Sequence, residues 1–253
     1  MSSPTTPPPS YTLFITHKNY SSWSLRPHLL LHELAIPFTP SLQPLLPSQP
    51  RQPQWKAFSP TARVPCLHDT SHSPPLVLWD SLAIVEHLAE AHPDKPVYPS
   101  SPPARAWARS ATAEMHAGFE RIRDEMSTNV GLRVRFFERD RGGVSPALAA
   151  ELERVDELWT EGLRRFGGPW LAGEEFGAVD AFYAPMVLRM QTFVGAVEFL
   201  GEEARGYVER VLELEGVKEW VADAVKEVNR EPNHDEQTIA GRQVLADYRA
   251  TRE

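Results

Sequence analysis

The side chains with the clearest chemical potential come early in the chain. Ser21, Ser22, Ser24 and Arg26 stand between a short apolar run, residues 11–16, and a leucine-rich run, residues 29–34. That order reads as a strand, a polar loop and a helix start. The unpaired N–H groups and positive dipole end of a helix N-terminus favour anions. A hydroxyl placed there can hold a thiolate, a phosphate or a carboxylate. Serine is also a preferred N-cap, so an ordinary capped turn explains the same residues. Pro27 has no N–H and fits the first turn of a helix, which makes Ser24 the expected cap and leaves Ser21 and Ser22 in the loop. Two further places pair chemistry with a helix start or a turn. Asp80-Ser81 opens a second helix, and Val64 is held extended by the following Pro65. Farther on, His116, Phe119 and Arg123 have the spacing of one helical face, where an arginine suits an acidic group.

These residues need elements to hold them. Residues 11–16 read as a strand and 23–34 as a helix, with Leu25, Leu29, Leu30 and Leu34 at near-helical spacing. Residues 38–42 read as an edge strand, because Pro40 excludes a central one. Residues 44–53 are a loop that runs into a short helix at 54–58. Residues 64–67 and 76–79 read as a hairpin, followed by a helix over 82–91. Most of the 24 prolines lie before residue 105. Helix-compatible sequence dominates beyond, with one long helical stretch over 104–129, a break at Gly142-Gly143, and helices over 146–166, 179–194, 202–214 and 217–228. A short helix is expected at 243–249. The domain scheme is a disordered tail (1–10), an α/β domain (11–95), a linker (96–105), an all-helical domain (106–230) and a C-terminal extension (231–253). The first domain has the order of a thioredoxin-like layer.

Composition excludes several classes. The 253-residue chain carries a formal net charge of −8, which is unsuited to nucleic acid. It has one cysteine, Cys66, so neither a disulfide framework nor a cysteine-based zinc cluster is available. Cys66 is expected as a buried small hydrophobe. No apolar run is long enough to span a membrane, and a cytoplasmic protein is expected. The histidines show no metal-ligand spacing, so no metal is predicted.

Several motifs, in order, resemble the cytosolic glutathione transferase superfamily. Residues 59–67 (SPTARVPCL) are similar to the family's stretch around a Val-Pro pair. Trp79-Asp80-Ser81-Leu82-Ala83-Ile84 is similar to its acid-Ser helix start. Residues 176–181 (FGAVDA) are similar to its helical-domain capping motif, with Gly177 in place of Ser or Thr. Residues 21–26 (SSWSLR) resemble the zeta-class signature, with Trp23 in place of a cysteine. Residues 19–27 with 114–119 (EMHAGF) look closer still to bacterial and fungal zeta-like, serine-type transferases. The resemblance spans about residues 11–230.

The resemblance implies a thioredoxin-like domain plus an all-α domain, with glutathione as cosubstrate and a homodimer as the working unit. It implies that Asp80 takes the ammonium and Ser81 the γ-glutamyl carboxylate. It further implies that Pro65 is cis and that the Val64 backbone pairs with the cysteinyl unit. Arg63 is a candidate for the glycyl carboxylate, with Trp55 and Lys56 as weaker ones. The hydroxyl that donates to the thiolate would be Ser22 or Ser21, with Ser22 preferred. Trp23, His116, Phe119 and Arg123 would line the electrophile pocket, with Asn129 and Arg133 near by. The implied activity is conjugation of the thiolate to a small electrophile. A glutathione-dependent cis–trans isomerase and a non-catalytic binding protein are the alternatives. Trp23 weighs against the isomerase, and the intact serines against the binding protein.

Overall fold

The computed structural model describes residues 10–46, 52–136 and 143–250. The expected N-terminal tail up to residue 9, the middle of the loop at 44–53, and Gly142 lie outside them. Strand β1 (Tyr11–Ile15) turns Tyr11, Leu13 and Ile15 inward and leads into helix α1 (Ser22–Glu33). Strand β2 (Phe38–Leu42) pairs in parallel with β1 at the sheet edge, where the missing N–H of Pro40 is tolerated. After a 3₁₀ turn at Pro53–Ala57, strands β3 (Cys66–Asp69) and β4 (Leu76–Trp79) form the expected hairpin, and helix α2 (Ser81–Ala91) follows. The sheet order is β2-β1-β3-β4, with β1 antiparallel to β3.

This topology brings the chemistry to one edge. Cys66 pairs with Phe14 on one side and with Trp79 on the other. The chain therefore leaves β1, enters β3 and leaves β4 at the same end of the sheet. The loop before α1, the Val64-Pro65 pair and the start of α2 become neighbours by register alone.

The second half begins with α3 (Pro102–Ala117) and α4 (Glu120–Glu125). One helix over 104–129 was expected, but the chain breaks at Gly118 and Phe119. Phe119 sits at φ 59°, in the left-handed region, where helix cannot propagate. A Cβ at Gly118 would stand 2.9 Å from the Glu114 carbonyl oxygen. Strand β5 (Leu132–Phe136) follows; helix α5 (Pro146–Phe166) matches its expected bounds. Helix α6 (Ala178–Thr192) is buried at every position except Gln191 and forms the centre of the domain. It packs against both α1 and α3. Strand β6 (Phe193–Val194), helices α7 (Glu202–Leu212), α8 (Glu215–Lys226) and α9 (Pro232–Ile239), and strand β7 (Arg242–Asp247) complete the fold.

Two corrections concern this half. It is not purely helical, because a three-stranded sheet of order β6-β5-β7 is set into it. The expected helix at 243–249 is strand β7, which pairs antiparallel with β5. Leu132, Val134 and Phe136 face the core while Arg133 and Arg135 alternate outward, which is the period-2 pattern of a half-buried strand.

Asp180 caps α6. Its carboxylate accepts from the Gly177 N–H at 3.0 Å, the Leu171 N–H at 3.0 Å and the Tyr207 hydroxyl at 3.1 Å. Gly177 has no hydroxyl to return the bond, so the carboxylate alone closes this helix end, as the sequence led us to expect.

Residues from α8 onward hold the loop that precedes α1. The Glu227 carboxylate accepts from the backbone N–H of Lys18 at 2.8 Å and of Asn19 at 3.1 Å. Asn19 donates to Asn129 Oδ1 at 2.9 Å and accepts from the Gly131 N–H at 2.8 Å. Asp235 accepts from the Tyr20 hydroxyl at 3.0 Å and from Asn129 Nδ2 at 2.8 Å, and it is ion-paired with Arg249. Removing one acceptor here strands several donors. Asp235→Ala is expected to lower stability by about 2 kcal/mol and to speed amide hydrogen exchange at residues 19–21. Exchange unchanged at that loop would refute the anchoring role.

Candidate functional site

Helix α1 begins within a residue of the expected 23–34 span, but its cap lies one turn earlier than the position counted back from Pro27. Ser21, not Ser24, is the N-cap: its Oγ accepts from the Ser24 N–H at 3.2 Å. The same hydroxyl donates to Ser24 Oγ at 2.8 Å, and Ser24 Oγ in turn accepts from the Thr16 N–H at 3.3 Å. Pro27 is consequently the sixth residue of the helix rather than a member of its first turn. The cost is one missing ladder bond to the Trp23 carbonyl. Ser22 is the first helical residue and is buried, and its hydroxyl makes no hydrogen bond to any described residue. Of the two candidate hydroxyls, the fold commits Ser21 to capping and leaves Ser22 free at a helix N-terminus.

The Val64-Pro65 peptide is cis, as the resemblance implied. The β1–β3 and β3–β4 ladders both begin at Cys66, so Val64 lies just outside the paired region at the sheet edge. Asp80 caps α2 by accepting from the Leu82 N–H at 2.8 Å, and its backbone sits at φ 73°, ψ 134°. That conformation is disfavoured for a residue with a Cβ and costs of order 1–3 kcal/mol. Ser81 is 1% exposed, and its hydroxyl has no hydrogen-bond partner among the described residues. A buried hydroxyl without a partner at a helix N-terminus is an unusual arrangement in a folded chain.

The second domain closes over this edge. The His116 Nε2 lies 3.6 Å from Asp80 Oδ2, and the His116 ring stands edge-on to Trp23 with centroids 5.4 Å apart. Burial holds the His116 imidazole below its ordinary pKa; Asp80 opposes this, and Arg26 and Arg123 add to it. The Trp23 ring carries the Arg26 guanidinium 4.0 Å from its centroid and the Arg123 guanidinium 4.8 Å from it. Although the helix breaks between them, Arg123 folds back to donate to the His116 carbonyl at 3.0 Å and also to the Met115 carbonyl, closing the C-terminal end of α3.

Three expected residues stand elsewhere. Phe119 is buried, packs against Tyr183 and belongs to the core rather than to a pocket wall. Arg133 turns to its own segment, donating to the carbonyls of Val130 and Leu132. Asn129 belongs to the buried network that anchors the loop before α1. Arg63 is exposed at the sheet edge and ion-paired with no described residue. Lys56 donates to the Pro60 carbonyl, while the buried Trp55 leaves its indole N–H without a partner. Cys66 is fully buried, and burial pushes its thiol up to about 11, against a smaller opposing effect of a Ser59 hydrogen bond.

Two participants went unassigned from sequence. Phe182, on α6, lies 4.9 Å beneath the Arg26 guanidinium. Arg26 itself shares an apolar stripe with Leu29 and Leu30, three and four residues on. A charge inside such a stripe was the available signal.

A mixed four-stranded sheet with its site at one edge, closed over by a helical domain, defines the glutathione transferase fold. Residues 20–91 match the family model of the glutathione S-transferase N-terminal domain. Glutathione S-transferase GstB of Escherichia coli is 28% identical over 170 residues, spanning 64% of this chain and 75% of the relative. A stringent starvation protein A homolog of Pasteurella multocida is 27% identical over 159 residues, spanning 62% of this chain and 66% of the relative. Among solved structures, a Burkholderia glutathione transferase homolog with bound glutathione superposes with a TM-score of 0.58 at 22% identity, covering 85% of this chain and 97% of that one. Ure2p in complex with glutathione superposes with a TM-score of 0.61 at 17% identity, covering 85% and 99%. The domain match, the relatives and the fold support membership of the glutathione transferase superfamily. Among the described residues, no helix is long and apolar enough to cross a membrane.

Proposed function

We propose that the chain is a glutathione transferase of the serine-type, zeta-like group, and that it conjugates the glutathione thiolate to a small electrophile. The observation that carries this reading is a pair of serine hydroxyls with no hydrogen-bond partner among the described residues, at two helix N-termini on one sheet edge: Ser22 on α1 and Ser81 on α2. Ser81 and the first-turn N–H groups of α2 suit the γ-glutamyl carboxylate, with the Asp80 carboxylate on the adjacent ammonium. The strained Asp80 backbone fits a residue held in place for a ligand. Val64, outside the ladders, would offer its backbone to the cysteinyl unit, and Arg63 and Trp55 are the candidates for the glycyl carboxylate. The thiol then sits near Ser22, whose hydroxyl donates to sulfur while the helix N-terminus favours the anion. The thiol proton leaves to solvent, a carbon–sulfur bond forms to an aryl or alkyl carbon of the electrophile, and the halide or similar leaving group on that carbon departs with the electron pair of the broken bond. Trp23, His116 and Arg123 flank the electrophile.

A cytoplasmic homodimer is part of the proposal and rests on the resemblance. An isomerase would use the same thiolate and return it; cis–trans conversion without net consumption of glutathione distinguishes it. The direct test is binding. The wild type is expected to be retained on immobilised glutathione, and Asp80→Ala and Ser81→Ala are each expected to weaken retention at least about tenfold, in line with the loss of a charge-assisted bond. Retention of both variants equal to wild type would refute the site.

A further inference from the structure

The helical domain sets a titratable side chain, His116, against the carboxylate assigned to the glutathione ammonium. Asp80 Oδ1 accepts from the Leu82 N–H at 2.8 Å, which leaves Oδ2 for a ligand. Oδ2 faces His116 Nε2 at 3.6 Å, too far for a hydrogen bond but within ion-pair reach. The imidazole is held in this orientation. Its ring stands edge-on to Trp23 and tilted against Phe182, with centroids 6.3 Å apart in the second pair. Its Nδ1 is buried with no hydrogen-bond partner among the described residues, and its backbone carbonyl accepts from Arg123. Nε2 is therefore the nitrogen presented to Asp80. The pair is not needed to hold α3 against α2. Arg109 and Glu86 join the same two helices about two turns away, also at 3.6 Å.

The charges around the ring give this contact a consequence. Asp80 on α2 favours the imidazolium, while Arg26 on α1 and Arg123 on α4 oppose it and burial opposes it most. Trp23 on α1 and Phe182 on α6 bring no charge. On α3 itself, Glu114 is engaged by Arg154. An ammonium bound at Oδ2 neutralises the carboxylate and adds a positive charge beside Nε2. Both effects disfavour protonation of the ring. We propose, resting on the placement of the glutathione ammonium at Asp80, that His116 sets the affinity for glutathione. The ligand's ammonium and the His116 imidazolium exclude each other at Asp80, so glutathione binds the form in which His116 is neutral. The sign follows from linkage. Affinity is constant where the ring is neutral and falls as pH drops through the ring's pKa, which lies below the ordinary value of about 6.5. By reciprocity, bound glutathione lowers that pKa further.

The test is calorimetric titration of the full chain with two ligands, glutathione and glutaryl-cysteinyl-glycine, which is the same tripeptide without its α-amine. Wild-type affinity for glutathione is expected to fall at least about threefold between about pH 7.5 and about pH 5. The amine-free tripeptide brings no positive charge to Asp80 and should lack that fall. Glutathione binding to His116→Gln should lack it too. A fall of equal size in the variant, or with the amine-free ligand, overturns the proposal. A residue with only a packing role would change affinity by the same factor at every pH. A second readout follows the ring itself. The His116 ring-proton resonances, assigned by their loss in His116→Gln, are followed against pH with and without glutathione. Saturation with glutathione is expected to lower the His116 pKa by at least about half a unit. An unchanged or raised pKa overturns the proposal. Binding of glutathione without pH linkage removes this inference alone. No binding by the wild type at any pH removes the glutathione site and this inference with it.

Discussion

Ser22→Ala is expected to lower kcat/KM for a generic aryl halide by about a hundredfold, the typical loss when one preorganised donor to a developing or resting anion is removed. Glutathione retention and thermal stability should change little, because the Ser22 hydroxyl bonds to no described residue. Ser21→Ala should show the reverse profile. Its hydroxyl caps α1 and bridges to Ser24, so its loss should cost about 1 kcal/mol of stability and reduce turnover only as far as the helix start loosens. Steady-state kinetics and thermal melts on both variants separate the roles. Full activity in Ser22→Ala would remove the serine mechanism.

The second large effect is on folding. Asp180→Ala is expected to destabilise the protein by about 4 kcal/mol, because it leaves the Gly177 and Leu171 amides and the Tyr207 hydroxyl buried and unsatisfied at 1–3 kcal/mol each. Denaturant titration measures this directly, and a shift below about 1 kcal/mol would contradict the capping argument. The carboxyl also carries a pH signature. Burial raises it to about 6, against the lowering effect of its three donors. A group raised above its unfolded value of about 3.9 favours folding most when protonated in both states. Its contribution is therefore greatest below about pH 4, falls as pH rises to about 6, and is constant above. The Asp180→Asn protein should lack that decline between about pH 4 and 6.

The α/β half was legible because its signals are local. Pro40 placed β2 at an edge, Pro-rich and turn-rich segments bounded the hairpin, and Asp80 announced α2. The second half misled where local signals were weak and pairing was distant. The alternation of Leu132, Arg133, Val134, Arg135 and Phe136 is a strand pattern, but it follows a helical stretch and was absorbed into its surroundings. Strand β7 is mostly exposed and lacks a buried alternating face, and only its partner β5 makes it a strand. The candidate site residues at the sheet edge stood out as motifs. The division of labour between Ser21 and Ser22 was not, because it depends on which serine accepts a backbone N–H. Counting back from Pro27 failed there because the helix tolerates proline at its sixth position.

The lone cysteine acquires a meaning beyond packing. Cys66 is sealed in the sheet with its thiol raised to about 11, so scarcely any of it is thiolate at neutral pH, and it is out of reach of solutes. A catalyst that concentrates reactive carbon compounds beside an activated sulfur risks being alkylated by its own substrates. This chain presents no rival accessible thiol, so on the proposed reading the expendable tripeptide takes the electrophile and the protein survives turnover.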